Sequence, residues 1–202
     1  MVKRHSAGLT AWNCLYGLRR VKKGDAVLVQ GTGGVSLFGL QFAKAAGATV
    51  VATTSTAEKA ELLKKLGADH VVNYREDPNW GVTARKLTPN GEGFDHILEL
   101  GGKGTLSQSL EAVKLEGIIS TIGVLGGVPP PDPIIQTLAR ICTVRGVYVG
   151  SREQLEAMVQ AIEEHDIHPV MDKTVFTLDQ VKEAYEYMLA QKHIGKIGIN
   201  IE

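Results

Sequence analysis

The sequence predicts an α/β protein built on a doubly wound parallel sheet, and three observations predict it. Short β-branched runs alternate with alanine- and leucine-rich segments of helical period along most of the 202 residues. Several of those runs are apolar nearly throughout, as strands are when helices cover both faces of a parallel sheet. A glycine-rich turn, Gly31-Thr32-Gly33-Gly34-Val35-Ser36, joins the first run to an apolar helical segment. Such alternation implies right-handed crossovers between neighbouring strands.

Taken in chain order, residues 9–20 read as a helix packed against the entrance of the sheet, with Arg19-Arg20 and Lys22-Lys23 as its solvated end. Strands are expected at 26–30 (AVLVQ), 49–53 (TVVAT), 70–73 (HVVN), 96–100 (HILEL), 118–122 (IISTI) and 143–149 (TVRGVYV). Helices fall between them near 37–46, 57–66, 80–87, 105–113 and 133–139. Gly47 and Gly67, each after a helix and before a strand, fit C-terminal caps. The run Pro129-Pro130-Pro131-Asp132-Pro133 reads as a rigid loop whose last proline opens the next helix. Beyond Gly150 the alternation changes, giving a helix at 154–164, a strand at 167–171, a helix at 178–189 and a strand at 197–201. The expected division is a leading helix at 1–20, a sheet domain at 21–150 and a helix-strand extension at 151–202.

Composition sets the class of partner. Lys plus Arg (22) equals Asp plus Glu (22), so no overall charge draws nucleic acid or an acidic surface. With 44% hydrophobic and 22% charged residues the chain has ordinary globular composition, and no apolar run reaches the ~18 residues of a membrane span. Met1-Val2-Lys3-Arg4-His5 lacks the apolar core of a secretory signal. Cys14 and Cys142 match no metal spacing and suggest buried thiols in a reducing compartment, although two cysteines also allow one disulfide. A cytoplasmic protein is expected.

The glycine turn points to chemistry. Strand, glycine turn and apolar helix in succession form the context of a dinucleotide-binding Rossmann unit. Gly31 permits the tight turn, and Gly33 lets the backbone approach a pyrophosphate without a Cβ in the way. The helix beginning near Val35 aims its first amides at the phosphates, so Gly31, Thr32, Gly33, Gly34 and Val35 form the expected cradle. Ser36 stands where the third glycine is usual, at some cost in packing room between helix and strand. The competing reading is a turn that serves packing alone.

The end of the second strand bears on the choice of nucleotide. An acidic residue about 20 positions beyond the glycines would bond the ribose 2′-hydroxyl and repel a 2′-phosphate. Here the segment is Thr53-Thr54-Ser55-Thr56-Ala57-Glu58-Lys59. Hydroxyls at Thr54 and Ser55 replace the acid and Lys59 stands nearby, which suits NADP(H) over NAD(H). Alternatively, Ser55 or Thr56 caps the following helix, and both roles are compatible.

The stretch VLVQGTGGVSLFGLQFAKAAGATVVATTSTAEKAELLKKLGADHVVNY resembles the cofactor domain of the medium-chain dehydrogenase/reductases, in particular the NADP-dependent, zinc-independent alcohol dehydrogenase and quinone-reductase-like branch. The likeness extends through Leu9-Thr10-Ala11-Trp12, residues 94–101, 117–123 and 146–152, and Gly195-Lys196-Ile197. The resemblance implies that Lys59 and Tyr74 contact the adenosine 2′-phosphate. It also implies that Ile122-Gly123-Val124 and Tyr148-Val149 lie along the nicotinamide. Pairing of the edge strand at 143–149 with a second copy would make a homodimer.

Three departures from the family pattern limit what carries over. By the resemblance, the chain is expected to start where the GroES-like β-domain, which supplies most substrate contacts in the family, hands over to the cofactor domain, and residues 151–202 resemble the segment that returns to complete that domain. Where zinc-dependent members place a ligand cysteine, this chain has Ser6-Ala7-Gly8, so no catalytic zinc is expected. The third is Ser36 itself.

Other candidates have ordinary explanations. His165 and His168 fall at a helix end, where a capping or solvated histidine is expected rather than a metal pair. His70 and His96 are expected at strand starts, and His193 in a turn. Glu99 closes the fourth strand, as a strand-end carboxylate or a general base; Tyr148 is a polar group near the expected nicotinamide, or an edge-strand aromatic packed at a dimer seam. No serine-histidine-aspartate order or nucleophile elbow appears. The expectation is an NADP(H)-binding oxidoreductase acting on a carbonyl or activated alkene, with no catalytic acid assigned. The alternatives are a non-redox isomerase, dehydratase or cyclase reusing the cleft, a cofactor-binding or dimerisation module without turnover, and a fragment of a longer enzyme.

Overall fold

The computed structural model describes residues 5–127 and 134–201. The basic start at 1–4 and the proline-rich run at 129–133 lie outside these residues. Six strands, β1 (Ala26–Gln30), β2 (Thr49–Thr54), β3 (His70–Asn73), β4 (Phe94–Glu99), β5 (Val113–Thr121) and β6 (Thr143–Gly146), form one sheet in the order β3-β2-β1-β4-β5-β6. All five pairings are parallel. The strand order reverses between β1 and β4, which opens a crevice at their carboxyl ends.

The apolar runs follow from burial on both faces. Val27 and Val29 of β1 pack with α1 (His5–Tyr16), α2 (Gly34–Ala45) and α7 (Arg152–Glu164), through Trp12, Leu15, Phe38, Phe42, Met158 and Ile162. Ala26 and Leu28 face the opposite layer, where α4 (Trp80–Lys86) and α5 (Leu106–Ala112) contribute Trp80, Ala84 and Leu110. Gly39 lets α2 lie close on the sheet, because a Cβ there would stand 2.5 Å from Leu98 Cδ2. The helix α3 (Ala57–Lys65) runs between β2 and β3, and α6 (Ile134–Arg140) precedes β6. Gly47 and Gly67 take φ of 78° and 100° just past α2 and α3, as expected of caps.

Several boundaries differ from the sequence expectation for identifiable reasons. Helix α1 ends at Tyr16, not residue 20. Arg19 is therefore no solvated helix end: its guanidinium turns back to the Asp95 carbonyl at 3.0 Å and carboxylate at 3.4 Å. Strand β4 begins at Phe94, which puts His96 inside the strand. Strand β5 starts at Val113, immediately after α5, and its register with β4 slips between the Phe94–Val113 and His96–Ile118 pairs. Strand β6 stops at Gly146; Val149 has φ of 57°, a conformation outside the strand region. Tyr148 consequently lies beyond the strand and is 95% exposed.

In the C-terminal part, α7 opens with a capping box in which Ser151 Oγ accepts from Gln154 N and Gln154 Oε1 accepts from Ser151 N. The strand expected at 167–171 is instead β7 (Met171–Thr177). Ile167 serves the end of α7, its N–H donating to Ile162 O at 3.0 Å while its side chain is buried in the main core. A short 3₁₀ turn at Leu178–Gln180 leads into α8 (Val181–Leu189), and β8 (Lys196–Asn200) pairs parallel to β7. Among the described residues no helix is long and apolar enough to cross a membrane.

Candidate dinucleotide-binding site

The crevice between β1 and β4 begins at the glycine turn. Gly31 has φ of 75° and donates its N–H to Thr53 O at 2.8 Å, which ties the turn to β2. Gly33 is the N-cap of α2 and supplies no side-chain acceptor, so no side chain caps the first turn of that helix. A Cβ built on Gly31 or Gly33 meets nothing within 4 Å, so the space above the turn is open. Ser36 is fully buried and donates its hydroxyl to Gln30 O at 2.6 Å. The residue that replaces the usual third glycine thus fastens the helix to the end of β1.

One wall of the site was not visible in the sequence. Gly195 donates its N–H to Thr32 O at 2.9 Å, and Gly33 and Gly195 form a parallel bridge. A Cβ on Gly34 would stand 2.6 Å from Lys196 Cε and 2.8 Å from its Nζ. The ammonium of Lys196 is therefore held against the first turn of α2. No local pattern announces this contact, since residues 195–196 lie far along the chain from residues 32–34.

At the carboxyl end of β2, Thr54 is 1% exposed and its hydroxyl has no hydrogen-bond partner. Ser55 follows it, half-buried. Thr56, rather than Ser55, caps α3, accepting from Lys59 N at 3.3 Å. The Lys59 ammonium reaches the Gln191 carbonyl at 3.5 Å. Tyr74 is exposed just beyond β3 and donates its N–H to Thr54 O. Thr54, Ser55, Lys59 and Tyr74 are thus brought to one end of β2 and β3.

The opposite wall is organised by Glu99. Its buried carboxylate accepts from Gln30 Nε2 at 2.7 Å, from the N–H groups of Gly101 and Gly102 at 3.0 Å, and from the Thr105 and Ser109 hydroxyls. Gln30 Oε1 accepts in turn from Leu100 N at 3.1 Å. With five donors upon it, Glu99 joins β1 to the loop after β4 as a positioning group rather than a free base. Gly123 and Val124 continue beyond β5 beside that loop, where Leu125 N donates to Leu100 O and Gly126 N to Gly101 O. Tyr148, solvent-exposed after β6, is not drawn into these contacts.

The remaining titratable candidates lie elsewhere. His165 caps the end of α7, and His168 pairs with Asp166 at 3.0 Å on the surface. His96 is 1% exposed with neither ring nitrogen hydrogen-bonded, and burial pushes its pKa down to about 4. Cys14 and Cys142 are free thiols, and burial pushes Cys14 up to about 12. Among the described residues no group of three or more His, Cys, Asp or Glu is placed to hold a metal.

The open glycine cradle and the uncapped helix start together fit a dinucleotide, whose phosphates would supply the missing partners. Known proteins agree with that fit. The zinc-binding dehydrogenase family model matches residues 34–164. A zinc-type alcohol dehydrogenase-like protein of Schizosaccharomyces pombe is 50% identical over 97% of this chain and 58% of its own length. A 2-haloacrylate reductase of a Burkholderia species is 31% identical over 94% of this chain and 60% of its own. Among solved structures, an NAD-dependent alcohol dehydrogenase superposes with a TM-score of 0.88 at 29% identity, covering 97% of this chain and 57% of that one. A mycobacterial protein complexed with NADPH does so with 0.84 at 27%, covering 96% and 63%. The chain spans 58% and 60% of the two curated relatives. With its 3-2-1-4-5-6 parallel sheet and glycine turn, the chain belongs to the zinc-binding dehydrogenase family of the medium-chain dehydrogenase/reductases.

Proposed function

We propose that this chain holds NADP(H) in the crevice between β1 and β4 and serves an oxidoreductase that moves hydride to or from a carbonyl or an activated alkene. The observation that carries this reading is the open cradle at the start of α2, with Lys59 beyond the end of β2. Gly31, Thr32, Gly33, Gly34 and Val35 receive the pyrophosphate, with the Lys196 ammonium beside them. Thr54 and Ser55 meet the ribose, and Lys59 and Tyr74 the 2′-phosphate. Gly123, Val124 and Tyr148 stand on the nicotinamide side. A bound nicotinamide supplies the hydride; the protein's part is to hold it and keep its ring oriented.

A relative named for reducing 2-haloacrylate supports the activated-alkene class, and the NADPH-bound neighbour supports the nucleotide. Because an NAD-dependent neighbour shares the fold, the choice rests on Lys59 and the hydroxyls of this chain. The site calls for no zinc, since Ser6-Ala7-Gly8 offers no thiolate. On this reading residues 1–20 lead into a cofactor domain at 21–150, and residues 151–202 form a separate C-terminal segment that the family resemblance returns to a catalytic domain. The open edge of β6, flanked by exposed Leu138, Ile141 and Val144, supports a homodimer through residues 143–149. Two free thiols support a cytoplasmic setting.

The test is a fluorescence titration with NADPH and NADH, followed by NADPH oxidation with quinone, enal and aldehyde acceptors. Lys59→Ala is expected to weaken NADPH about tenfold, a loss of about 1.4 kcal/mol, while NADH changes little. Equal losses for both nucleotides would remove the 2′-phosphate contact. Tight binding with no oxidation by any acceptor would leave a binding module without turnover of its own.

A further inference from the structure

The chain leaves β6 in a backbone conformation that its sequence does not favour. Val149 has φ of 57°, in the left-handed region. A β-branched residue is an outlier there, and the bend persists only where neighbouring groups hold it. Among the described residues, the other β-branched residue with positive φ is Ile141, which precedes β6 at the amino end of the sheet. Val149 lies at the carboxyl end, the side on which an open α/β sheet receives ligands.

Asn13 of α1 holds the bend. Its Nδ2 donates to Val149 O at 2.9 Å. Its Oδ1 accepts from Arg145 Nη2 of β6 at 2.6 Å and from Gln154 Nε2 of α7 at 3.2 Å. With the oxygen engaged from two sides, the amide is fixed in the orientation that aims its NH2 group at Val149. One side chain thus ties α1, β6 and α7 around the bend. A Cβ on Gly150, the next residue, would stand 2.6 Å from Gln154 Oε1 and 2.9 Å from Leu9 Cγ, so the chain leaves the bend pressed against α1 and α7.

The bend stands in one row with the crevice. Ile122 N donates to Glu99 O at 2.8 Å and Val147 N to Thr121 O at 2.9 Å, so the carboxyl ends of β4, β5 and β6 are tied together. A dinucleotide laid across the switch point puts one mononucleotide on each half of the sheet. With the adenosine half on the glycine turn and the end of β2, the nicotinamide half lies on the side of β4, β5 and β6. We propose that Asn13 is a positioning residue for that half: it holds residues 147–149 in the strained bend that the nicotinamide nucleotide meets. The inference rests on the dinucleotide reading above. Without the bond to Val149 the bend relaxes toward ordinary backbone, and ligand binding must restore it. That weakens a ligand that reaches the bend and spares one that ends at the adenosine half.

The experiment is calorimetric titration of the full chain with NADPH and with adenosine 2′,5′-bisphosphate, which ends at the adenosine half, for wild type and Asn13→Asp. The substitution is nearly isosteric, keeps an acceptor for Arg145 and Gln154, and replaces the donor to Val149 O by a carboxylate oxygen. Asn13→Asp is expected to bind NADPH about fivefold more weakly than wild type and the bisphosphate equally well. An unchanged NADPH affinity, or the same loss for both ligands, overturns the role of Asn13 and leaves the dinucleotide reading standing. No binding of either ligand by wild type overturns both. Hydrogen exchange of wild type needs no variant: NADPH should slow exchange at residues 147–150 more than the bisphosphate does. Equal protection by the two ligands overturns the proposal, so a folding defect in Asn13→Asp does not spare it.

Discussion

Acidification should weaken the fold through His96, and the size of the effect follows from its position. The imidazole lies inside β4 at 1% exposure, with no hydrogen bond to either nitrogen. Burial lowers its pKa from 6.5 to about 4, assisted by Arg19 and Arg145 and opposed by Asp95. The unfolded chain therefore binds more protons than the folded one between those two values. This contribution is fully present above pH 6.5 and is lost as the pH falls toward 4. The full shift of 2.5 units corresponds to about 3.4 kcal/mol at 1.36 kcal/mol per unit, of which about 2 kcal/mol is already lost at pH 5. Asp25, whose carboxylate stands 3.7 Å from His96 Nε2, is itself raised by burial and acts in the opposite sense at lower pH. A comparison with His96→Phe isolates the histidine, because the replacement fills similar space and removes two unpartnered nitrogens. Urea unfolding at pH 7.5 and pH 5 should show a loss in wild type larger by about 2 kcal/mol than in the variant. Equal pH dependence in the two proteins would refute the neutral, buried state of His96.

Removing the Glu99 carboxylate strands five donors in the interior, and Glu99→Ala should cost about 4 kcal/mol in urea unfolding; a loss under about 1 kcal/mol would show that the donors find other partners. Val144→Lys places a charge on the open edge of β6, opposite Ile119 of β5, and is expected to turn a dimer into a monomer in light scattering without changing NADPH affinity. A wild type that is monomeric at high concentration would remove the edge-strand interface.

The sequence was most legible where structure is set by neighbours along the chain. Strands β1 and β3 appear at 26–30 and 70–73 as expected, because a β-branched run flanked by turn residues has one favourable conformation. The caps at Gly47 and Gly67 were legible for the same reason, a local demand for positive φ. The expectation failed where distant packing prevails. The strand sought at 167–171 moved to Met171–Thr177 because Ile167 is taken into the core at the end of α7. Strand β6 ends before Tyr148 because the backbone turns at Val149, and a TVRGVYV run carries no local sign of that turn.

Sequence by itself determined the alternating α/β class and the glycine turn, since hydrophobic period and the steric allowance of glycine are properties of a few adjacent residues. It also put Thr54, Ser55 and Lys59 within one short segment at the end of β2. Only the tertiary structure decided what surrounds that segment. Folding brings Lys196 onto Gly34 and Gly195 onto Thr32 across more than half the chain, and a contact of that separation leaves no trace in local pattern. It likewise made Glu99 a saturated anchor rather than a base, because the number of donors around a carboxylate depends on which loops converge there.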